Sequence, residues 1–220
     1  MTASCGTNIR NLKSRKEASD DIRRIYILPL PVNTGSCGLC FYLLHTERGQ
    51  VMPLPYENAV YSPCEKYRYC LTRRWGEGKS LCFIMLNPST ATEEQNDPTV
   101  ERCERRARKW EYAGIDIINL FAYRATNPKD MKACDDPVGG RWNDVHTFGS
   151  IQDSKCGYKD IICGWGTHGG HNKRDQYVYD LLRDFGLPIK ALEWTKHGHP
   201  KHPLYVPYSA TPIERHEQTP

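Results

Sequence analysis

Residues 81–90 read LCFIMLNPST, and this stretch decides the fold class of the chain. Its first six residues form an uninterrupted apolar run, short enough to be one strand that is buried on both faces. The next four residues cannot continue that strand, because Pro88 lacks an amide hydrogen and its neighbours favour turns. The stretch therefore predicts a buried strand that ends in a polar loop.

Strand and helix patterns alternate on both sides of this stretch. Strands are predicted at 68–75, 81–86, 115–121, 160–165 and 189–194, and helices at 97–112 and 175–186. The first helix has Asp97 or Asn96 as its N-cap, Pro98 in its first turn and Gly114 just beyond its end, and Gly186 ends the second. The alternation predicts an α/β sandwich around a largely parallel sheet.

The two ends of the chain differ from this pattern. The apolar runs IYILPLPV, FYLLHT and VMPLP, at 25–32, 41–46 and 51–55, predict two or three short strands. We therefore expect an N-terminal β-rich accessory segment at 1–60, an α/β domain of catalytic type at 61–208 and a flexible tail at 209–220.

The composition excludes several classes of protein. A chain of 220 residues with 39% hydrophobic residues can bury a core, so it is neither a miniprotein nor a disordered chain. A net charge of +4 permits nucleic-acid binding without requiring it. No apolar run has the length of a signal peptide or a membrane span. The sequence predicts a cytoplasmic protein without a membrane partner.

Ten cysteines raise the question of disulfides or a metal site. In a reducing cytosol most cysteines are buried as small apolar side chains, and Cys82 and Cys163 lie within apolar runs. Only Cys37 and Cys40 have the spacing of metal ligands, and no second pair of that spacing completes a zinc site. We expect no obligate metal and no other cofactor.

Polar residues follow four predicted strands at the point where each strand ends. They are NPST at 87–90, Asn119, WGTH at 165–168 and TKHGHPKHP at 195–203. The carboxyl ends of parallel strands meet at one edge of a sheet, where α/β proteins bind their ligands. The sequence therefore predicts a binding or active site for a small polar molecule.

The residue types at these strand ends favour particular chemistry. The amide and hydroxyls of 87–90 could position a water or a phosphate, or form a helix-capping turn. Asp97 is a candidate general base, or only a helix cap. The carboxamide of Asn119 has the donors and acceptor that suit a nucleobase edge, although a turn-forming Asn is the alternative.

Two basic clusters suggest an anionic ligand. His197, His199 and His202 share the loop at 195–203 with Lys196 and Lys201, and such cations favour a phosphate or a leaving anion over a metal ion. A metal site or a solvated loop is the alternative. In the first helix Arg102, Arg105, Arg106 and Lys109 are spaced to share one face, which could approach a polyanion or merely be solvated.

Five sequence blocks resemble an uncharacterised bacterial and phage family, domain of unknown function 1643. They are FIMLNPSTA at 83–91, NDPT at 96–99, INLFAYRAT at 118–126, WGTHGG at 165–170 and HPKHPLYV at 199–206. The resemblance covers residues 61–208.

The same blocks are similar, more distantly, to the uracil-DNA glycosylase superfamily. Its motifs are a strand with an Asp-Pro or Asn-Pro loop, an Asn at a strand end, a strand ending in Trp-Gly and a loop with His-Pro. Asn87-Pro88, Asn119, Trp165-Gly166 and then two His-Pro pairs follow that order here. The resemblance implies a three-layer α/β sandwich with a mainly parallel central sheet.

This second resemblance also implies a function and residue roles. A DNA glycosylase hydrolyses the glycosidic bond of an extruded base, which can be a modified one, in DNA or a nucleotide. The catalytic residues would be Asn87, Asp97, His199 and His202. The base would be bound by Asn119, Phe121 and Trp165. Phosphate or nucleic acid would be contacted by Ser89, Thr90, Arg105, Arg124, His168, Lys196 and Lys201.

Two other functions fit the same residues. A module of this fold could bind a modified base, a nucleotide or nucleic acid without catalysing a reaction. A transferase acting on modified nucleotides would require a second substrate.

Overall fold

The computed structural model describes residues 56–215, and all structural statements below concern that range. The chain divides into two units, Met1–Met52 and Pro53–Pro220, and the described range lies within the second. The strands predicted before residue 56, the cysteines at 37 and 40 and the last five residues of the predicted tail lie outside the described residues.

One sheet organises residues 56–215. Its strands are β1 (Tyr56–Tyr61), β2 (Arg68–Arg74), β3 (Ser80–Met85), β4 (Gly114–Asn119), β5 (Lys159–Cys163), β6 (Lys190–Ala191) and β7 (Ile213–Glu214). They lie in the order β1-β2-β4-β3-β5-β6-β7. The middle strands β4, β3, β5 and β6 are parallel, whereas β1, β2 and β7 pair antiparallel with their neighbours. The predicted parallel sheet is thus confirmed for the centre but not for its flanks.

Helices connect the central strands. They are α1 (Pro98–Lys109), α2 (Pro128–Ala133), α3 (Arg141–Lys155) and α4 (Arg174–Asp184), with 3-10 turns at Gly166–His168, His171–Lys173 and Pro203–Tyr205. Helices α1 and α4 match the predicted ones, and Asp97 is the N-cap of α1. Gly114, predicted to follow the end of α1, instead begins β4.

Helix α3 was not predicted from the sequence, because most of the residues that it buries are polar. Asn143, Thr147 and Ser150 are buried, whereas Trp142 and Phe148 are 53% and 43% exposed. A helix whose buried face is mainly polar, with Ile151 as its buried apolar residue, lacks the periodic apolar stripe by which amphipathic helices are predicted.

Helices cover both faces of β3. On one face, Phe83 lies in a core with Val100 of α1. On the other face, Ile84 lies in a second core with Ile151 of α3 and Val178 of α4. Every residue of β3 is buried, which accounts for its uninterrupted apolar run.

The sheet also buries an ion network around Asp116 of β4. The Asp116 carboxylate accepts hydrogen bonds from the hydroxyls of Thr72 (2.8 Å) and Ser80 (2.9 Å), and the Lys159 ammonium lies 3.3 Å away. Burial opposes ionisation of Asp116, but Lys159 and these hydroxyls outweigh it and hold the pKa of the carboxyl below its ordinary value. The apolar run at 115–121 therefore contains one residue that is buried as an ion.

His146 of α3 lies close to this network. Its ring stacks on that of Tyr69, with centroids 5.7 Å apart and planes 5° from parallel. Burial, together with the charge of Lys159, lowers the pKa of His146 to about 4. His146 is therefore neutral at physiological pH.

The arginines of α1 make contacts within the protein, which corrects the predicted basic face. Arg106 is fully buried, and it donates to the Val206 carbonyl (2.5 Å), as does Arg102 (3.0 Å). Arg105 pairs with Glu101 one turn earlier in the helix, at 2.6 Å. Two of the four basic residues thus hold the chain after the last 3-10 turn against α1.

Candidate functional site

A cavity of about 650 Å³ opens where the four parallel strands end. The loops after β3, β4, β5 and β6 and the first turn of α1 form its wall, so the predicted convergence of strand ends is present. Its polar wall residues are Asn87, Ser89, Thr90, Asp97, Thr99, Thr126, Thr167, His168, Thr195, Lys201, His202 and Tyr205. Leu86, Trp165 and Leu204 supply much of the apolar wall.

Asn87 holds two of these loops together. Its side-chain amide nitrogen donates to the carbonyl of Ala125 in the loop after β4 (2.6 Å) and to that of Pro88 (3.0 Å). Its Oδ1 makes no hydrogen bond with the described residues. Asn87 therefore has a structural role through its nitrogen and retains an acceptor on the cavity wall.

In Asp97, too, one side-chain polar atom has partners within the protein and the other does not. Oδ1 accepts from the backbone amides of Thr99 and Val100, both at 2.9 Å, and so caps α1. Oδ2 has no hydrogen-bond partner within residues 56–215. The predicted capping role is confirmed, and one oxygen is still available for a ligand or a water.

His202 is fixed as a neutral imidazole. Its Nδ1 accepts from the backbone amide of Leu204 at 3.4 Å, which places the proton of the neutral ring on Nε2. Burial lowers the pKa of His202, and the nearby Asp97 carboxylate opposes part of that shift. Nε2–H is thus a hydrogen-bond donor that makes no hydrogen bond with the described residues.

The two His-Pro pairs have different positions. The backbone amide of His199 donates to the Thr195 hydroxyl (3.0 Å) and its carbonyl accepts from the Thr195 amide (2.8 Å), so His199 closes a turn and does not line the cavity. Pro203, after His202, packs on Gly164, just beyond β5, so closely that a Cβ on Gly164 would lie 3.0 Å from the proline ring. This contact holds His202 at the wall.

Trp165 forms a buried part of the wall. Only 1% of its surface is exposed. The backbone of Gly169 lies so close to the indole that a Cβ there would be 2.1 Å from Cδ1 of Trp165. The WGTHGG block is therefore folded around its own tryptophan.

Four of the residues predicted to contact phosphate or nucleic acid lie on the cavity wall. Ser89, Thr90, His168 and Lys201 line the cavity, as noted above. Lys201 forms a salt bridge with Glu193, so its charge is compensated.

Six predicted site residues do not line the cavity; they are Asn119, Phe121, His199, Lys196, Arg105 and Arg124. Phe121 is buried in the core that contacts α3 and α4, where its ring packs on His171. Arg124 donates to the Glu65 carbonyl at 3.1 Å. Lys196 is exposed.

Asn119 is a special case among these six. It is the last residue of β4, is 1% exposed, and neither polar atom of its side chain has a hydrogen-bond partner within the described residues. A buried amide without partners costs about 1–3 kcal/mol. By strand alternation, Asn119 projects from the same sheet face as Ile117, which is the face that α1 covers.

Five polar wall residues were not among the predicted site residues: Thr99, Thr126, Thr167, Thr195 and Tyr205. Thr126 and Tyr205 belong to the INLFAYRAT and HPLYV blocks, so the blocks themselves contained the signal, and Thr195 begins a strand-end loop. Tyr205 is 75% exposed, and its ring centroid lies 5.8 Å from that of His202. An exposed aromatic ring at a cavity entrance can stack on a base.

The described residues contain neither a metal-ligating cluster nor a helix that could span a membrane. No group of three or more His, Cys, Asp and Glu side chains within 56–215 could hold a metal ion. None of the described helices has the length and apolar character needed to cross a membrane.

The comparisons with known proteins give one match. The model of the family described as "Protein of unknown function (DUF1643)" matches residues 68–204. No curated protein and no solved structure matches the chain. These findings lend no support to the more distant resemblance to the uracil-DNA glycosylase superfamily.

Proposed function

The chain belongs to the DUF1643 family, and from the geometry of its cavity we propose that it hydrolyses the N-glycosidic bond of a nucleobase bound there. The observation that carries this proposal is that a carboxylate and a neutral hydrogen-bond donor line the same cavity. Asp97 offers a carboxylate oxygen, and His202 offers the Nε2–H of a neutral imidazole. A carboxylate and a neutral donor suit attack by water on one side and departure of an anion on the other.

The cavity has the size and lining that a nucleoside requires. Its volume of about 650 Å³ lies within the range of small-molecule sites. Trp165, Leu86 and Leu204 provide apolar surface for a ring, and Tyr205 adds an aromatic ring at the entrance. Threonine hydroxyls on the wall can bond to a sugar.

The chemical step follows from the groups present. Asp97 Oδ2 and Asn87 Oδ1 accept hydrogen bonds from a water, which attacks the anomeric carbon while Asp97 takes its proton. The bond between that carbon and the base nitrogen breaks, and its electron pair leaves with the base. The Nε2–H of His202 stabilises the resulting anion, which then takes a proton from solvent.

The buried amide of Asn119 supports a base-reading role. Its unpartnered oxygen and nitrogen would gain hydrogen bonds if a base reached past the wall residues. A site that must satisfy such a group discriminates strongly against bases that cannot do so.

The test is base release from defined DNA. Single- and double-stranded oligonucleotides carrying uracil, hydroxymethylated or glycosylated bases are incubated with the protein and then heated in alkali, which breaks the strand at abasic sites. We expect breaks with one of these bases, and their loss in Asn119→Ala and His202→Ala. A chain that breaks none of these substrates would contradict the proposal.

A binding module without catalysis is the second candidate, and one observation favours it. Asp97 and Asn87 each use polar side-chain atoms in hydrogen bonds within the protein. This is expected if both residues have only a structural role. In that case Asp97→Asn, which can still cap α1, leaves ligand affinity unchanged and no product forms.

A further inference from the structure

A lysine and a histidine meet at the rim of the cavity. Lys132 lies on α2, one helical turn after the wall residue Pro128, and His168 ends the 3-10 turn after β5. Lys132 Nζ lies 3.2 Å from His168 Nδ1. Because an ammonium can only donate, Nδ1 is the acceptor, and the proton of the neutral ring lies on Nε2.

Among the described residues, no carboxylate forms a salt bridge with this pair. Within residues 56–215 Lys132 forms no salt bridge, in contrast to Lys201, which pairs with Glu193. Burial and the charge of Lys132 lower the pKa of His168, which keeps the ring neutral and able to accept from the ammonium. The remaining N–H groups of Lys132 and the Nε2–H of His168 therefore have no acceptor within residues 56–215.

The fold holds these donors in place. Gly166 adopts a φ of +72°, which permits the sharp turn before His168, and the tight contact between Gly169 and Trp165 fixes the turn on its other side. The hydroxyl of Thr167 is a further wall group next to His168.

We propose that Lys132 and His168 bind a phosphate group of the substrate, so that the cavity accepts a nucleotide or a nucleic acid rather than a free base or nucleoside. This inference rests on the proposed function, because it assumes that a nucleobase occupies the cavity. The Lys132 ammonium is a cationic donor for a phosphate oxygen, and His168 holds it in place by accepting from it through Nδ1. The phosphate can belong to a mononucleotide or to a nucleic-acid backbone, and the chemistry of the pair is the same for both.

The experiment compares phosphate-bearing and phosphate-free probes. Binding of a mixed-sequence 12-nucleotide single strand, of the four deoxynucleoside 5′-monophosphates and of the four deoxynucleosides is measured by calorimetry or anisotropy for the wild type, Lys132→Met and His168→Gln. Lys155→Met is the matched control, since Lys155 is exposed at the end of α3, just before the amino end of β5. Thermal melting verifies that all variants are folded.

The expected result is a selective loss. Removing one phosphate contact to a single strand lowers the slope of log K against log salt by about 0.7, which is about fivefold in affinity at 0.1 M salt. Loss of affinity for the strand alone identifies a backbone phosphate, and loss for a monophosphate but not its nucleoside identifies a nucleotide. Equal binding by Lys132→Met and Lys155→Met to all three probes overturns the inference.

Base release measured on the same variants separates the two hypotheses. If product forms while Lys132→Met binds normally, the glycosidic chemistry stands and the phosphate site is wrong. If Lys132→Met and His168→Gln bind weakly but no variant or wild type releases a base, the phosphate site stands and the proposed reaction is wrong.

Discussion

Single residues on the cavity wall divide their polar atoms between the fold and the ligand. The nitrogen of Asn87 ties two loops together while its oxygen faces no described partner. One oxygen of Asp97 caps a helix and the other does not. Nδ1 of His202 accepts from the backbone, which makes Nε2 the donor. Because structure fixes each group through one atom, the other atom is held in a defined position.

Asp97→Asn separates capping from catalysis. Asn caps helices about as well as Asp, so the free energy of unfolding should change by less than about 1 kcal/mol. Removal of the carboxylate should lower the rate of base release by about 10²- to 10⁴-fold. Urea unfolding and single-turnover kinetics give the two numbers, and an unaltered rate would show that Asp97 is a cap alone.

Asn119→Leu tests whether the buried amide reads a base. Because the amide has no partner in the described structure, an apolar side chain of similar size should leave the protein equally or more stable. Base release should nevertheless be lost. The control is Asn143→Leu, which should destabilise the fold because Asn143 donates to the Asn119 and Leu120 carbonyls at 3.1 Å.

The lowered pKa of His202 predicts how the rate of base release depends on pH. Since burial lowers its pKa, the neutral imidazole persists below the ordinary histidine value of 6.5. The rate should therefore stay constant as pH falls from 8 to about 6.5 and decline only at lower pH, where the ring gains a proton. A rate that rises as His202 becomes protonated would contradict the assigned neutral donor.

At the scale of elements, the turn after β5 depends on the close approach of Gly169 to Trp165. A Cβ on Gly169 would lie 2.1 Å from Trp165 Cδ1, whereas the nearest atom to a Cβ on Gly170 is 3.7 Å away. We expect Gly169→Ala to destabilise the protein by about 1–3 kcal/mol, because the buried indole cannot move aside, and Gly170→Ala to have little effect. Chemical denaturation of both variants tests this, and equal stability would mean that the turn adapts.

Elements also show where sequence patterns succeed. Strands β3, β4 and β5 and helices α1 and α4 were predictable, because their apolar periodicity and caps are local. Helix α3 was not, because its buried face is mainly polar. The predicted strand at 189–194 forms regular pairs only at Lys190–Ala191, since its carboxyl end turns into the cavity loop.

For the whole molecule, the buried polar network makes stability depend on pH. Below the ordinary histidine pKa of 6.5, His146 takes up a proton in the unfolded chain, but in the folded protein its pKa is about 4. The free energy of unfolding should therefore fall between pH 6.5 and pH 4, by up to about 3 kcal/mol from this residue. The depressed pKa of Asp116 contributes stability that is lost only at still lower pH, as the carboxylate is protonated.

Urea unfolding of wild type and His146→Phe across this pH range checks the assignment. The phenyl ring can keep the stack on Tyr69 but cannot titrate, so the variant should lose less stability on acidification. His197→Gln controls for removal of an exposed histidine. Identical pH dependence in His146→Phe and wild type would show that the imidazole does not carry the effect.

The sequence by itself determined the alternation of strands and helices, the start of α1 at Asn96 or Asp97 and the sheet edge at which the cavity opens. Apolar periodicity, proline and capping side chains act over a few residues, so the local order of the chain is enough to predict them. It also placed Asn87, Trp165 and His202 at strand ends.

Only the tertiary structure decided which of these groups meet. It selected His202 over His199, and it brought Lys132 to His168 across 36 residues. It buried Arg106 against the Val206 carbonyl, 100 residues away, and left Asn119 outside the lining of the cavity. Such contacts depend on how helices pack on a sheet and on which side chains lose their contact with water. No local pattern along the chain encodes either.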